Sequence, residues 1–318
     1  KSTLNNFIAS ASQHNFRSLT IKMSGGECLL ELKQVIKVVE IGRLLATKYN
    51  LSFRPVVMSN GVLITDRTAN LLKQLDIHVA ISLDGIGPYH DKHRIFPSGL
   101  GSYKAVIAGL SELKKAGVSH NCLVTITKDN EDNLLDLTGF FLSQNIPFAF
   151  NFFRENEVAT KDSSTAIAHD EKLIKNLKSC YKLISKARPT ETLLHYLLDR
   201  VDLTSTHAQV CGRGKSYLVI GQDGQLYPCQ MDIGHAPLSP CLTEDPISVM
   251  QSWGVDHPHH APSSCKQCPY FHYCAGGCPR LNSDTVMSPY CHIYQALIPY
   301  LLKLEAKRII KVADLRFP

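Results

Sequence analysis

No stretch of this 318-residue chain approaches the roughly 18 consecutive apolar residues a membrane-spanning helix needs, and its polar opening K-S-T-L-N-N-F lacks the apolar core of a secretory signal. The sequence therefore predicts a cytoplasmic protein with no membrane partner. Basic blocks and interleaved aromatic stripes are also missing. The net charge of +6 is spread along the chain as ordinary solvated surface, and a nucleic-acid partner is not expected. The histidines form no H-x-x-x-H pair on a helix, and His257, His259 and His260 fall in a Pro-rich segment, D-H-P-H-H-A-P, that reads as loop. Cysteine is absent from the first 27 residues.

What the chain does have is cysteine further on. Four of its eleven cysteines crowd into fourteen residues, Cys265-x2-Cys268-x5-Cys274-x3-Cys278, with turn formers at Pro269, Gly276 and Gly277 that let the backbone fold back on itself. Three readings compete for this run: a structural zinc knot, an iron-sulfur site and a disulfide knot. Disulfide frameworks belong mostly to secreted chains under about 100 residues, so chain length favours bound metal over disulfides.

The first half repeats one grammar. Short apolar runs at 19–23, 53–58, 79–83, 122–126 and 148–152 read as strands, each closed by a polar or glycine turn. Apolar-periodic helices are expected at 29–49, 65–74, 103–116 and, after a cap at Asn130, 131–144. Repeated βα units predict a parallel α/β sheet, open or curled into a barrel, with its chemistry at the carboxyl ends of the strands. Those ends carry Ser24-Gly25-Gly26-Glu27, Asn60-Gly61, Ser82-Leu83-Asp84-Gly85, Thr127 and Asn151. Exposed backbone N–H groups beside a carboxylate suit a ligand with both amino and carboxylate groups. Glu27 suits an ammonium or a ribose hydroxyl, and Arg94, in H-D-K-H-R, a carboxylate held bidentately.

The second half begins with a polar loop from Asn156. Helices are expected at 166–186 and 191–203, separated by Arg188-Pro189, with Cys180 a bystander in the first. A β-hairpin follows at 216–227, turning at Asp223-Gly224. An amphipathic closing helix spans 292–312, with a kink expected at Pro299.

The G-G-E turn, S-L-D-G followed by H-D-K-H-R, and the order Cys211, Cys229, Cys265, Cys268, Cys274, Cys278, Cys291 together resemble radical S-adenosylmethionine enzymes carrying a SPASM domain, such as peptide maturases and anaerobic sulfatase-maturating enzymes. The resemblance implies a partial (β/α)6 barrel over 1–155, a helical connection over 156–204, a SPASM domain over 205–292 and a closing helix over 293–318. Gly25, Gly26 and Glu27 would hold the methionine amino group of S-adenosylmethionine, and Ser82 and Arg94 its carboxylate, with Asn60 and Asp84 nearby. Two auxiliary 4Fe-4S clusters are implied: Cys211, Cys229 and Cys278 for one, and Cys265, Cys268, Cys274 and Cys291 for the other. His207 and Cys241 are candidates to complete the first.

The family's C-x3-C-x2-C motif, which holds a third 4Fe-4S cluster, does not precede the G-G-E turn here, and its first strand and loop are expected in a missing N-terminal segment. The implied activity is modification of a ribosomally made precursor peptide through a 5'-deoxyadenosyl radical, forming a cross-link, with flavodoxin or ferredoxin as reductant. Formylglycine formation in sulfatases is the enzymatic rival. Those enzymes carry an aspartate base directly after the second SPASM cysteine, where this chain has Gln230, so Asp232 becomes the catalytic candidate. A non-catalytic, metal-stabilised peptide-binding module is the rival from another class.

Overall fold

The computed structural model describes residues 2–154, 170–193, 198–199 and 201–316. In chain order the elements are α1 (Ser2–Gln13), β1 (Ser18–Met23), α2 (Leu32–Lys48), β2 (Ser52–Ser59), α3 (Asp66–Gln74), β3 (His78–Ser82), α4 (Pro88–Asp91), α5 (Tyr103–Lys115), β4 (His120–Ile126), α6 (Leu134–Gln144), β5 (Phe148–Phe152), α7 (Asp170–Ala187), β6 (Val219–Ile220), β7 (Gln225–Tyr227), β8 (Ser239–Pro240), α8 (Pro246–Asp256), α9 (Ser263–Lys266), α10 (Phe271–Cys274) and α11 (Cys291–Arg316). The first five strands form a curled parallel half-barrel in the order β1-β2-β3-β4-β5. Its registers include Met23 beside Val57 and Ile126 beside Phe152. The last three strands make a small antiparallel sheet, β6-β7-β8, whose first turn is the expected Asp223-Gly224 hairpin.

The chain divides into two compact units, 1–80 with 109–119 and 211–259, and 81–108 with 120–210 and 260–318. In the first unit α1 lays Ile8 and Ala11 against Leu45, Ala46 and Leu51. Covering an isoleucine this completely contributes about 1.5–3 kcal/mol. The same unit ties α1 to the start of α8: Asp245 caps α8 through Ser248 N–H (3.0 Å) and also accepts from Ser10 Oγ (2.5 Å).

In the second unit the core follows the helix period. Leu134, Leu137 and Phe141 of α6, Leu173, Leu177, Tyr181 and Ile184 of α7, and Ile293, Leu297, Ile298 and Leu301 of α11 are all buried. Alternate residues of β5 supply three buried phenylalanines, of which Phe148 stacks on Phe141 at 4.8 Å and Phe152 lies 4.5 Å from the Tyr290 ring. Among the described residues no helix is long and apolar enough to cross a membrane.

Several expectations change in detail. The opening residues form α1, where the resemblance implies a helix, whereas α8 and β8 were not anticipated. The segment 131–144 starts as a 3-10 turn, and the Asn130 side chain does not cap it. It bonds instead to the Asp84 and Thr125 carbonyls and the Thr127 N–H. In the segment expected as helix over 191–203, Leu198 forms an isolated parallel bridge with Phe150; residues 194–197 and 200 lie outside the described residues, as do 166–169 of the preceding helix.

Candidate active site

In the first unit β1 runs into Ser24-Gly25-Gly26-Glu27. Gly25 and Gly26 have φ of +107° and +53°, and a Cβ added to either would meet nothing within 4 Å. Glycine is required there by backbone angle rather than by crowding, and the turn stays open on its outer side. The Glu27 carboxylate accepts from Leu29 N–H (3.1 Å), Ser59 Oγ (2.9 Å) and Asn60 N–H (2.7 Å), welding the end of β1 to the end of β2. Asn60 is spent locally: its Oδ1 accepts from Val62 N–H at 3.0 Å. The Cys28 thiol donates to the Met58 carbonyl (3.2 Å), and burial, helped by the charge of Glu27, pushes it up to about 11.

The second unit builds a more elaborate support around Arg94. Asp84, 8% exposed, accepts from Thr125 N–H (2.7 Å) through Oδ1 and from Arg94 Nε through Oδ2. Because the bond uses Nε, the terminal nitrogens of the guanidinium remain for a ligand. The Asp84 N–H donates to His90 Nδ1 (3.2 Å), which makes Nε2 the protonated nitrogen of the neutral ring. Nε2 then donates to Ser102 Oγ (3.1 Å), and Ser102 donates to the Arg94 carbonyl (2.8 Å). Burial holds His90 below the usual histidine value, against the pull of Asp84, in keeping with a neutral relay. Lys92 and His93, beside Arg94, are both bound by Asp129. Sequence reasoning picked out Ser82, Asp84 and Arg94 but missed His90 and Ser102, whose only sequence signal is their nearness to Arg94. Ser82 is half-buried at the end of β3.

Four of the expected thiols share one cavity in the second unit. Cys265, Cys268, Cys274 and Cys291, with Tyr294 and Gly276, line one small cavity. Burial foremost, then repulsion from neighbouring sulfurs, pushes Cys274 up to about 11 and also raises Cys265 and Cys291. Thiols that resist ionisation in their own company become ligands when a cationic centre sits among them. Thiols lining one cavity could hold a metal centre between them.

Cys211, Cys229 and Cys241 lie in the first unit and Cys278 in the second. Cys241 Sγ is 3.9 Å from Thr3 Oγ1. His207 has its ring nitrogens against the Ser205 (3.2 Å) and Tyr273 (3.0 Å) carbonyls. Asp232 is 2% exposed and paired with Arg213 (3.4 Å), whose guanidinium lies 4.3 Å over the Trp253 ring. That is the placement of a carboxylate that holds a loop.

Residues 6–141 match the sequence model of the Radical SAM superfamily. The match takes in somewhat under half of the chain, and over it the chain is similar to radical SAM proteins; the C-terminal region beyond it is rich in cysteine. Its relatives include a cysteine-type anaerobic sulfatase-maturating enzyme of Clostridium perfringens, 24% identical over 309 residues, or 91% of this chain and 82% of that protein. An uncharacterised protein of Synechocystis is 28% identical over 255 residues, and the chain spans only 63% of that relative's length. Native anSMEcpe, solved with AdoMet and the Kp18Cys peptide, superposes with a TM-score of 0.75 at 19% identity, covering 98% of this chain and 90% of that one. Streptococcus suis SuiB, solved with S-adenosylmethionine, superposes at 0.60 and 14% identity, over 91% and 69%.

Proposed function

We propose that this protein is a radical SAM enzyme that modifies a ribosomally made precursor peptide, forming a cross-link within it. The observation that carries the reading is the cavity lined by Cys265, Cys268, Cys274 and Cys291, in a chain that also matches the Radical SAM superfamily. These four would hold one auxiliary 4Fe-4S cluster, and Cys211, Cys229 and Cys278 would supply thiolates to another. S-adenosylmethionine, when bound, supplies the radical chemistry. The chain's own residues place it. Arg94, aimed by Asp84, takes the ligand carboxylate together with Ser82. The open Gly25-Gly26 turn and the carboxylate of Glu27 take its amino group, Glu27 remaining the joint between two strand ends.

The peptide partner is supported by relatives that act on protein substrates and by a structural neighbour solved with a peptide. Similarity to sulfatase-maturating enzymes over most of the chain favours formylglycine formation as a second reading. Gln230 after Cys229, and the pairing of Asp232 with Arg213, weigh against it, because neither offers a free carboxylate base.

The test is anaerobic reconstitution of the full-length protein with iron and sulfide, followed by S-adenosylmethionine, dithionite and two peptides: a precursor encoded beside the gene and a sulfatase-derived peptide bearing Cys or Ser. Release of 5'-deoxyadenosine with loss of two hydrogens from the precursor supports the proposal. Formylglycine in the other peptide moves the assignment to sulfatase maturation. No 5'-deoxyadenosine with either peptide, in protein loaded with iron and sulfide, overturns enzyme activity and leaves a peptide-binding module.

A further inference from the structure

His90 lies in α4, fully buried, and its two ring nitrogens reach the two residues that hold Arg94. Nδ1 accepts from the Asp84 N–H (3.2 Å), and Asp84 carries the carboxylate that binds Arg94 Nε. Nε2 lies 3.1 Å from Ser102 Oγ, and Ser102 gives the Arg94 carbonyl two hydrogen bonds, one from Oγ (2.8 Å) and one from its N–H (3.1 Å). The Arg94 N–H in turn donates to the His90 carbonyl (3.1 Å). Arg94 is therefore fixed at its N–H, its carbonyl and its guanidinium, and all three attachments lead back to one residue. A histidine that served packing alone would need its nitrogens satisfied by any polar groups. Here both partners are the supports of one cation.

We propose that His90 is a positioning residue: its neutral imidazole sets the grip of Arg94 on a ligand carboxylate, and that grip is released at acid pH. The role rests on the reading of Arg94 given above. Only the neutral ring accepts at Nδ1 while it donates at Nε2. Protonation puts a hydrogen on Nδ1 facing the Asp84 N–H, donor against donor, and the turn that carries the Asp84 carboxylate loses its hold. The groups around the ring divide. Burial foremost, then the Arg94 charge, resists protonation, while the carboxylates of Asp84 and Asp91 favour it, and the balance leaves His90 below the usual histidine value. Tyr103, its ring centroid 6.2 Å away, is itself raised by burial and stays neutral. The imidazole thus takes up its proton only below about pH 6.5.

The experiment is calorimetric titration of full-length, anaerobically reconstituted protein with S-adenosylhomocysteine and with methylthioadenosine, which lacks the amino acid moiety, between about pH 8 and about pH 5. Wild type is compared with His90→Asn and Ser102→Ala, each shown to be folded by circular dichroism. Asparagine offers an acceptor near the Nδ1 position, but it is too short to reach Ser102 and has no proton to take up. His90→Asn is expected to bind S-adenosylhomocysteine about fivefold more weakly at neutral pH, and methylthioadenosine as wild type does. In wild type the preference for S-adenosylhomocysteine falls about threefold or more on acidification, whereas in His90→Asn it stays flat. Ser102→Ala weakens S-adenosylhomocysteine alone and keeps the pH dependence. The wild-type profile needs no variant, so a variant that does not fold leaves the test intact. Weakening of both compounds alike marks a purely structural role and overturns the inference. An unchanged preference in the folded variants, a wild-type preference that does not vary with pH, or one that varies equally in His90→Asn also overturns it, and each leaves Arg94 as the carboxylate residue. Wild type that binds the two compounds equally well at neutral pH overturns the reading of Arg94 and the inference with it.

Discussion

Asp84→Asn separates the two jobs of one carboxylate. The asparagine Oδ1 still accepts from Thr125 N–H, so the tie between the ends of β3 and β4 survives. Its Nδ2 now faces Arg94 Nε, donor against donor, and the clamp on the guanidinium is lost. A hydrogen bond to a charged group contributes about 1.5–3 kcal/mol, and part of this is recovered as Arg94 finds water at its half-exposed position. We expect about 1.4 kcal/mol to remain as lost orientation, or roughly tenfold weaker binding of a ligand carboxylate. The assay is calorimetric titration of wild type and variant with S-adenosylhomocysteine, which has the amino acid moiety, and with methylthioadenosine, which lacks it. The first should weaken about tenfold and the second should be unchanged. Equal weakening of both would mean that the pocket itself has collapsed, and no change in either would mean that Arg94 is not oriented by Asp84; either result refutes the reasoning.

Other expectations follow from single placements. Asp232→Asn removes the carboxylate charge that faces the Arg213 guanidinium at 3.4 Å, a loss of about 3 kcal/mol; thermal denaturation should show it, while 5'-deoxyadenosine formation per folded molecule holds. Loss of that activity with an unchanged melting temperature would restore Asp232 as a catalytic base. Cys274→Ser should lower iron and sulfide content by about one cluster without emptying the protein, because its thiol belongs to one cavity. The hydrogen bond from Arg308, joined by Thr192 and Leu193 N–H, holds Glu305 at about 2, below its usual 4.5. A depressed carboxylate stabilises the fold above its unfolded value, and the contribution is lost as pH falls from about 4.5 to about 2; roughly 2 kcal/mol is at stake after allowing for solvent. Glu305→Gln should flatten the stability profile over that window in far-ultraviolet dichroism.

Much of the fold was legible because its signals are local. Alternation in F-A-F-N-F marks β5 as one buried face, and all five strands of the half-barrel lie where short apolar runs meet polar turns. Helix α1 was legible from the resemblance, which sets a helix after the first strand and its loop, and not from its own periodicity: its apolar stripe is short and its opening turn polar, and it is made stable by packing on α2 and by Ser10 on Asp245, more than two hundred residues away. Leu198 likewise reads as helical by spacing, and pairs in an isolated bridge only because Phe150 lies beside it.

For the site, the sequence by itself determined which residues are the candidates for the chemistry. Cysteine spacing, the G-G-E turn and Arg94 after S-L-D-G are chemical identities in a fixed order, and no folding step alters them. The tertiary structure decided how those groups are held. Only in three dimensions does Asp84 become the clamp of Arg94, His90 a neutral relay between Asp84 and Ser102, and Asp232 a buried partner of Arg213. Only there do Cys265, Cys268, Cys274 and Cys291 surround one cavity. The reason is physical: a hydrogen bond or an ion pair depends on separations of a few ångströms between residues far apart in the chain, and local sequence periodicity carries no information about such distances.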